Sequence, residues 1–197
     1  MAADDLGPWA PLALADLVAL MRRFPARWWV TGGLALELYM GRSWRAHGDT
    51  DASVLRTDAP LLLAALDGWD ISVAAQGELR PWHGTTPRAE INENNLWCRR
   101  PGGAWQLDVT VGDGDDEQWV YRRDPSLRRP WDRAVLRSEE GVPYLAPDLQ
   151  LLFKSTHQRA KDEEDVRVVG PALTDDMRDT LRTYLPPEHP WHARLVP

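Results

Sequence analysis

The sequence predicts an α+β protein, a small mixed β-sheet flanked by helices with a helical C-terminal part. Two observations carry this. Up to about residue 145, short runs rich in aromatic and β-branched residues alternate with runs of helical periodicity. Beyond Pro147 the spacing is helical throughout. The chain has 197 residues, 43% of them hydrophobic, enough for one ordinary core with a helical appendage. The expected division is a core over 1–145 and a helical subdomain over 146–197.

Taken in order, residues 11–24 place Leu12, Leu14, Leu17, Val18, Leu20 and Met21 at helical spacing, and Pro25 ends that helix. Arg27 to Thr31 reads as a strand. Gly32-Gly33 makes the turn, Leu34 to Met40 reads as a helix, and Gly41 stops it. A basic loop over 42–48 leads to a strand over 49–55. A short helix over 59–66 and a strand over 68–75 follow. Residues 94–99 and 104–111 form a strand pair turned by Pro101-Gly102-Gly103. A hairpin is expected over 133–137 and 142–145. Pro147 suits a first helical turn, where its missing N–H costs nothing, and that helix runs to about Ala160. Helices over 161–169 and after the capping Thr174 complete the plan, with an irregular Pro-rich tail from Pro186.

Composition narrows the function. Net charge is −7 with a pI near 5.2, which argues against broad nucleic-acid or membrane-surface binding and leaves cationic small substrates open. A single cysteine, Cys98, excludes an intrachain disulfide and a cysteine zinc cluster. The acidic first residues lack the basic region of a signal peptide. No apolar run approaches the roughly 18 residues of a membrane span. A cytoplasmic protein is expected. Eleven tryptophans are many for this length, and most are assigned to the core or to groove walls.

Residues Thr31 to Asp51, TGGLALELYMGRSWRAHGDTD, carry the chemistry. A diglycine between strand and helix lets a ligand approach the backbone, and the free N–H groups of the following helix favour phosphate. The plainer reading of such a pair is a tight turn. Asp49 and Asp51 stand at i and i+2, which on a strand puts both on one face, where they suit Mg²⁺. Asp108 lies inside the apolar strand WQLDVTV, a costly place for an acid without a partner or a metal. As a neighbour of the Asp49–Asp51 strand it becomes a third carboxylate, able to share a metal or accept a proton.

The diglycine, the basic loop ending in histidine, the DxD strand and the later strand aspartate resemble the nucleotidyltransferase superfamily related to DNA polymerase β. They look closest to its aminoglycoside 2''-adenylyltransferase and lincosamide nucleotidyltransferase group. PDLQLLFKSTHQRAKDEED is similar to that group's helical segment. The resemblance implies the nucleotidyltransferase fold and an antibiotic-resistance type of activity. Gly32 and Gly33 would hold a nucleoside triphosphate, with Asp49, Asp51 and Asp108 around Mg²⁺ and Asp108 the candidate base. Arg42, Arg45 and His47 would meet phosphates or position the acids, and Lys154 would point at the triphosphate. Thr50 stands where the group usually has a large apolar residue, and Glu37 where it often has Asp.

The reaction so implied moves a nucleoside monophosphate, AMP from ATP, onto a hydroxyl and releases pyrophosphate. The expected acceptor is a small molecule such as an aminoglycoside or lincosamide. A tRNA or protein acceptor and a non-catalytic nucleotide-binding role are the alternatives. The acidic loop Asp113, Asp115, Asp116, Glu117 would favour a cationic drug. The stretch Arg122, Arg123, Arg128, Arg129, Arg133 and Arg137, interleaved with Tyr121 and Trp131, would favour nucleic acid. The plainer reading of both, and of the charge run Lys161 to Asp165, is solvated surface. A monomer or homodimer without membrane contact is expected.

Overall fold

The computed structural model describes residues 6–195. Residues 1–5, part of the segment read for a signal peptide, and 196–197, the end of the Pro-rich tail, lie outside them. Along the chain come α1 (Leu14–Met21), β1 (Trp28–Val30), α2 (Gly32–Met40), β2 (Asp51–Leu55), α3 (Leu62–Ala65), β3 (Asp70–Ala75), β4 (Glu78–Pro81) and β5 (Asn95–Arg99). Then follow β6 (Leu107–Gly114), β7 (Gln118–Val120), β8 (Arg128–Pro130), α4 (Trp131–Ala134), β9 (Val135–Arg137), β10 (Pro143–Leu145), α5 (Pro147–Lys154), α6 (Ala160–Val169) and α7 (Asp175–Tyr184). The chain forms two compact units. One takes the chain up to Val30 together with Ala46–Trp131, and the other takes Thr31–Arg45 and the chain from Asp132.

The first unit is built on strands in the order β4-β3-β5-β6-β2-β1. β2 and β6 run parallel and the other neighbours antiparallel, so the sheet is mixed. Alternation along β5 and β6 buries Leu96, Cys98, Leu107, Val109 and Val111 on one face. Asn95, Trp97, Asp108 and Thr110 fall on the other. On α1, Leu17 and Met21 are wholly buried, and the helix is shorter than its periodicity suggested. β7 and β8, which extend from the end of β6, and the edge strand β4 were not expected from the sequence. They are three or four residues long, too short for a period of two to stand out. The helix expected over 59–66 opens as a 3₁₀ turn, Ala59–Leu61, with Pro60 in it.

The loop between β4 and β5 is stapled by charge. Glu93 is 5% exposed and accepts from Arg80 at 2.8 Å, from Arg88 Nη2 at 2.9 Å and from the Arg88 backbone N–H at 2.8 Å. The hydrogen bonds from Arg88 hold its carboxyl near 2 against an opposing push from burial, with Arg80 assisting. A carboxyl lowered in the fold stabilises above its unfolded pKa, and that stability fades as pH falls from about 4.5 towards 2. Glu93→Gln is therefore expected to be less stable at pH 7 and to lose less of its stability across that acid window. Urea unfolding at pH 7, 4.5 and 3 checks this; parallel curves for wild type and variant would refute it.

In the second unit, α2 runs from Thr31 at its N-cap to Gly41, whose φ of +64° ends it in the left-handed region. β9 and β10 pair antiparallel, with Tyr144 opposite Leu136. The short α4, which leads into β9, spans the boundary between the units. α5 begins on Pro147, as its sequence predicts, and stops at Lys154, earlier than expected. Thr174 Oγ1 accepts from the Met177 N–H at the start of α7. The tail is less irregular than expected: Pro190–Arg194 form a 3₁₀ turn that buries Trp191 completely.

Candidate active site

Parallel pairing of β2 and β6 sets Asp51 directly opposite Asp108. The register continues with Ser53 opposite Thr110, whose hydroxyls hydrogen-bond to each other. The strand expected from Asp49 begins only at Asp51, so Asp49 sits in the loop just before it. Thr50 between them is 1% exposed. Its carbonyl accepts from the Asp108 N–H at 2.9 Å, and its hydroxyl donates to Leu12 O at 2.7 Å. A large apolar side chain there could not make the second bond. This departure from the usual pattern therefore anchors the segment leading into α1.

Two residues that sequence reading missed hold the Asp108 carboxylate. Asn95 Nδ2 donates to its two oxygens at 3.1 and 2.9 Å, and Trp97 Nε1 donates to Oδ2 at 3.2 Å. Trp97 stands opposite Asp108 on β5 and is gripped edge-on by Trp9 and Trp105, with centroids 5.0 and 5.7 Å away. The signal lay in the Pro101-Gly102-Gly103 turn. A hairpin folded about it pairs Trp97 with Asp108, and a period of two puts Asn95 on the same face. Desolvation pushes the Asp108 carboxyl well above the usual carboxylate range, and the negative charges of Asp51 and Asp49 push the same way. The donors Asn95 and Trp97 oppose them but do not win.

Among the described residues, no three His, Cys, Asp or Glu side chains form a ready metal cage. Mg²⁺ does not need one, since it is usually held by one or two carboxylates, waters and substrate phosphates. The mutual repulsion of Asp108 with Asp51 and Asp49 is the kind of negative field that a divalent cation relieves, so the donor set fits such an ion.

In the second unit, Gly32 opens α2 with a φ of +69°, and Gly33 is buried in its first turn. The Gly32 N–H donates to Gln150 Oε1 on α5 at 2.9 Å. One turn further along α5, Lys154 is 6% exposed, with its ammonium 3.2 Å from Asp162 and 3.0 Å from Asp165. Arg45 grips Asp165 with two bonds of 2.9 Å, Trp44 Nε1 adds one of 3.3 Å, and Arg159 binds Asp162 at 2.8 Å. Burial pushes both carboxyls up, but the surrounding cations win and hold them below the usual range. The charge run over α6 is thus not all solvated: Asp162 and Asp165 are wholly buried. Arg42 is exposed, and His47 is half-exposed in the loop before Asp49.

Some members of the two charged stretches weighed for an acceptor are engaged within the first unit. Asp113 pairs with Arg56 at 2.8 Å. Asp115 caps the turn to Gln118 and lies 3.5 Å from Arg128.

A mixed sheet bearing facing aspartates on neighbouring parallel strands, followed by helices, defines the nucleotidyltransferase class. The chain belongs to the aminoglycoside-2''-adenylyltransferase family, whose sequence profile matches residues 13–168, and it is a nucleotidyltransferase. The fold is similar to that of ANT(2'')-Ia in complex with adenylyl-2''-tobramycin, at 16% identity and a TM-score of 0.60, covering 86% of this chain and 92% of that one. A solution structure of the antibiotic-resistance factor ANT(2'')-Ia gives 16% identity and a TM-score of 0.57 over 86% and 87% of the two chains. The lincosamide antibiotic adenylyltransferase LnuA, lincomycin-bound, gives 16% and 0.55 over 80% and 96%. At these identities the likeness is one of fold. No curated protein matches the chain by sequence. Among the described residues, no helix is long and apolar enough to cross a membrane.

Proposed function

We propose that this chain transfers AMP from ATP to a hydroxyl of a small antibiotic of the aminoglycoside or lincosamide class and releases pyrophosphate. The observation that carries the reading is the in-register pair Asp51 and Asp108, in a chain of this family. The small-molecule acceptor is supported by the antibiotics bound in the similarly folded ANT(2'')-Ia and LnuA.

The acceptor oxygen attacks the α-phosphorus, the bond to the β-phosphate oxygen breaks, and pyrophosphate leaves. Asp108 takes the hydroxyl proton, oriented for it by Asn95 and Trp97. Asp49 and Asp51, with Asp108 beside them, are the residues that would hold Mg²⁺. Bound there, the ion would neutralise charge developing on the phosphate oxygens. Gly32 and Gly33 offer backbone N–H groups to the triphosphate. Arg42 and His47 belong to the same donor role. Arg45 and Lys154 serve it by fixing the α2–β2 loop and α5 through Asp165 and Asp162.

The test is transfer of label from ATP, GTP, CTP and UTP to aminoglycosides, lincosamides and tRNA, with Asp49→Ala alongside. Asp49→Ala is expected to lose at least a hundredfold in rate, as for a lost transition-state charge contact. Unchanged transfer in that variant would sink the metal reading, and transfer to tRNA alone would replace the acceptor.

A further inference from the structure

The N-terminus of α2 carries more than the diglycine. Thr31, its N-cap, is 7% exposed, and its buried hydroxyl has no hydrogen-bond partner among the described residues. An N-cap hydroxyl ordinarily accepts from an N–H of the first turn, and this one does not. A buried hydroxyl in that condition is costly unless something occupies the space it faces. The N–H groups of a first turn also have no partner inside their own helix. One of them, on Gly32, is taken by Gln150 Oε1, from a side chain that is itself 6% exposed.

From these observations we infer that Thr31 and Gln150 complete a phosphate site at the start of α2, with the Gln150 amide oxygen holding the place of a phosphate oxygen. The inference rests on the ATP-dependent reading above. Gln150 is a neutral acceptor, and a phosphate oxygen at the same N–H makes the stronger, charge-assisted bond. Displaced, the amide rotates about its last torsion and presents its NH₂ group, so the residue that closed the site becomes a donor within it. The Thr31 hydroxyl then finds its acceptor. Lys154, one turn along α5 from Gln150, is fixed by Asp162 and Asp165, so the helix presenting Gln150 has a charged anchor.

The probes are inorganic tripolyphosphate and ATP against the full chain, read by calorimetric titration and by the split between KM for ATP and kcat. Gln150→Glu keeps the shape and puts a negative charge where the phosphate oxygen belongs. It is expected to weaken tripolyphosphate binding at least tenfold and raise KM for ATP by a similar factor. Thr31→Val keeps the volume and removes the hydroxyl; a three- to tenfold weakening is expected, with circular dichroism unchanged. Wild-type affinity for tripolyphosphate in both variants overturns the inference while leaving the transferase reading intact. A wild-type chain that transfers label from no nucleotide and binds no tripolyphosphate overturns both.

Discussion

Asp108→Asn is expected to lower kcat by about 10²- to 10⁴-fold, the usual contribution of a general base, with a smaller change in KM. The amide still occupies the place between Asn95 and Trp97, so the fold survives. It cannot take a proton, and it offers one oxygen where the carboxylate offers two. Stability should move the other way. In the metal-free chain, desolvation and the charges of Asp51 and Asp49 outweigh the hydrogen bonds from Asn95 and Trp97. A carboxyl raised in the fold weakens it at neutral pH, so its neutral isostere should unfold at the same or a higher temperature without Mg²⁺. Single-turnover transfer and thermal unfolding measure the two effects. A near-wild-type rate would remove Asp108 from the chemistry, and a large drop in unfolding temperature would show that its hydrogen bonds outweigh the repulsion.

Lys154→Ala is the largest stability effect expected outside the carboxylate face. Removing one partner of a buried ion pair leaves uncompensated charge, at about 3–5 kcal/mol. Arg45 still grips Asp165 and Arg159 still grips Asp162, which places the loss at the lower end of that range. Lys154→Met, which fills the space, should lose less. Urea unfolding at pH 7 decides the matter, and a loss under about 1 kcal/mol in Lys154→Ala would mean that the arginines alone satisfy both acids.

What the sequence made legible was local. The Gly41 stop of α2, the Pro147 start of α5 and the Thr174 cap of α7 each depend on residues within a turn of one another, whereas α2 starts at Gly32, two residues before the expected Leu34. Asp108 could be named because an acid in an apolar strand is conspicuous. Its two donors could not, because Asn95 and Trp97 become visible only through the register of a hairpin. Asp162 and Asp165 looked like solvated charge. What buries Asp165 is an arginine 120 positions earlier, and no window on the chain contains both. Gln150 escaped for the same reason, since its partner N–H lies 118 residues away.

Asp51 and Asp108 face each other across parallel strands, and that arrangement bears on how the enzyme comes into being. Parallel neighbours cannot be joined by a tight turn. The 56 residues between the two acids, β3, β4 and β5 included, must close as one long excursion before they meet. Such distant pairing is slow to form. A slip of one residue while it forms would turn Asp108 into the apolar layer and Val109 out of it. Newly made chain therefore carries helix α2 early and its paired acids late. Activity recovered after dilution from denaturant should lag behind helical circular dichroism.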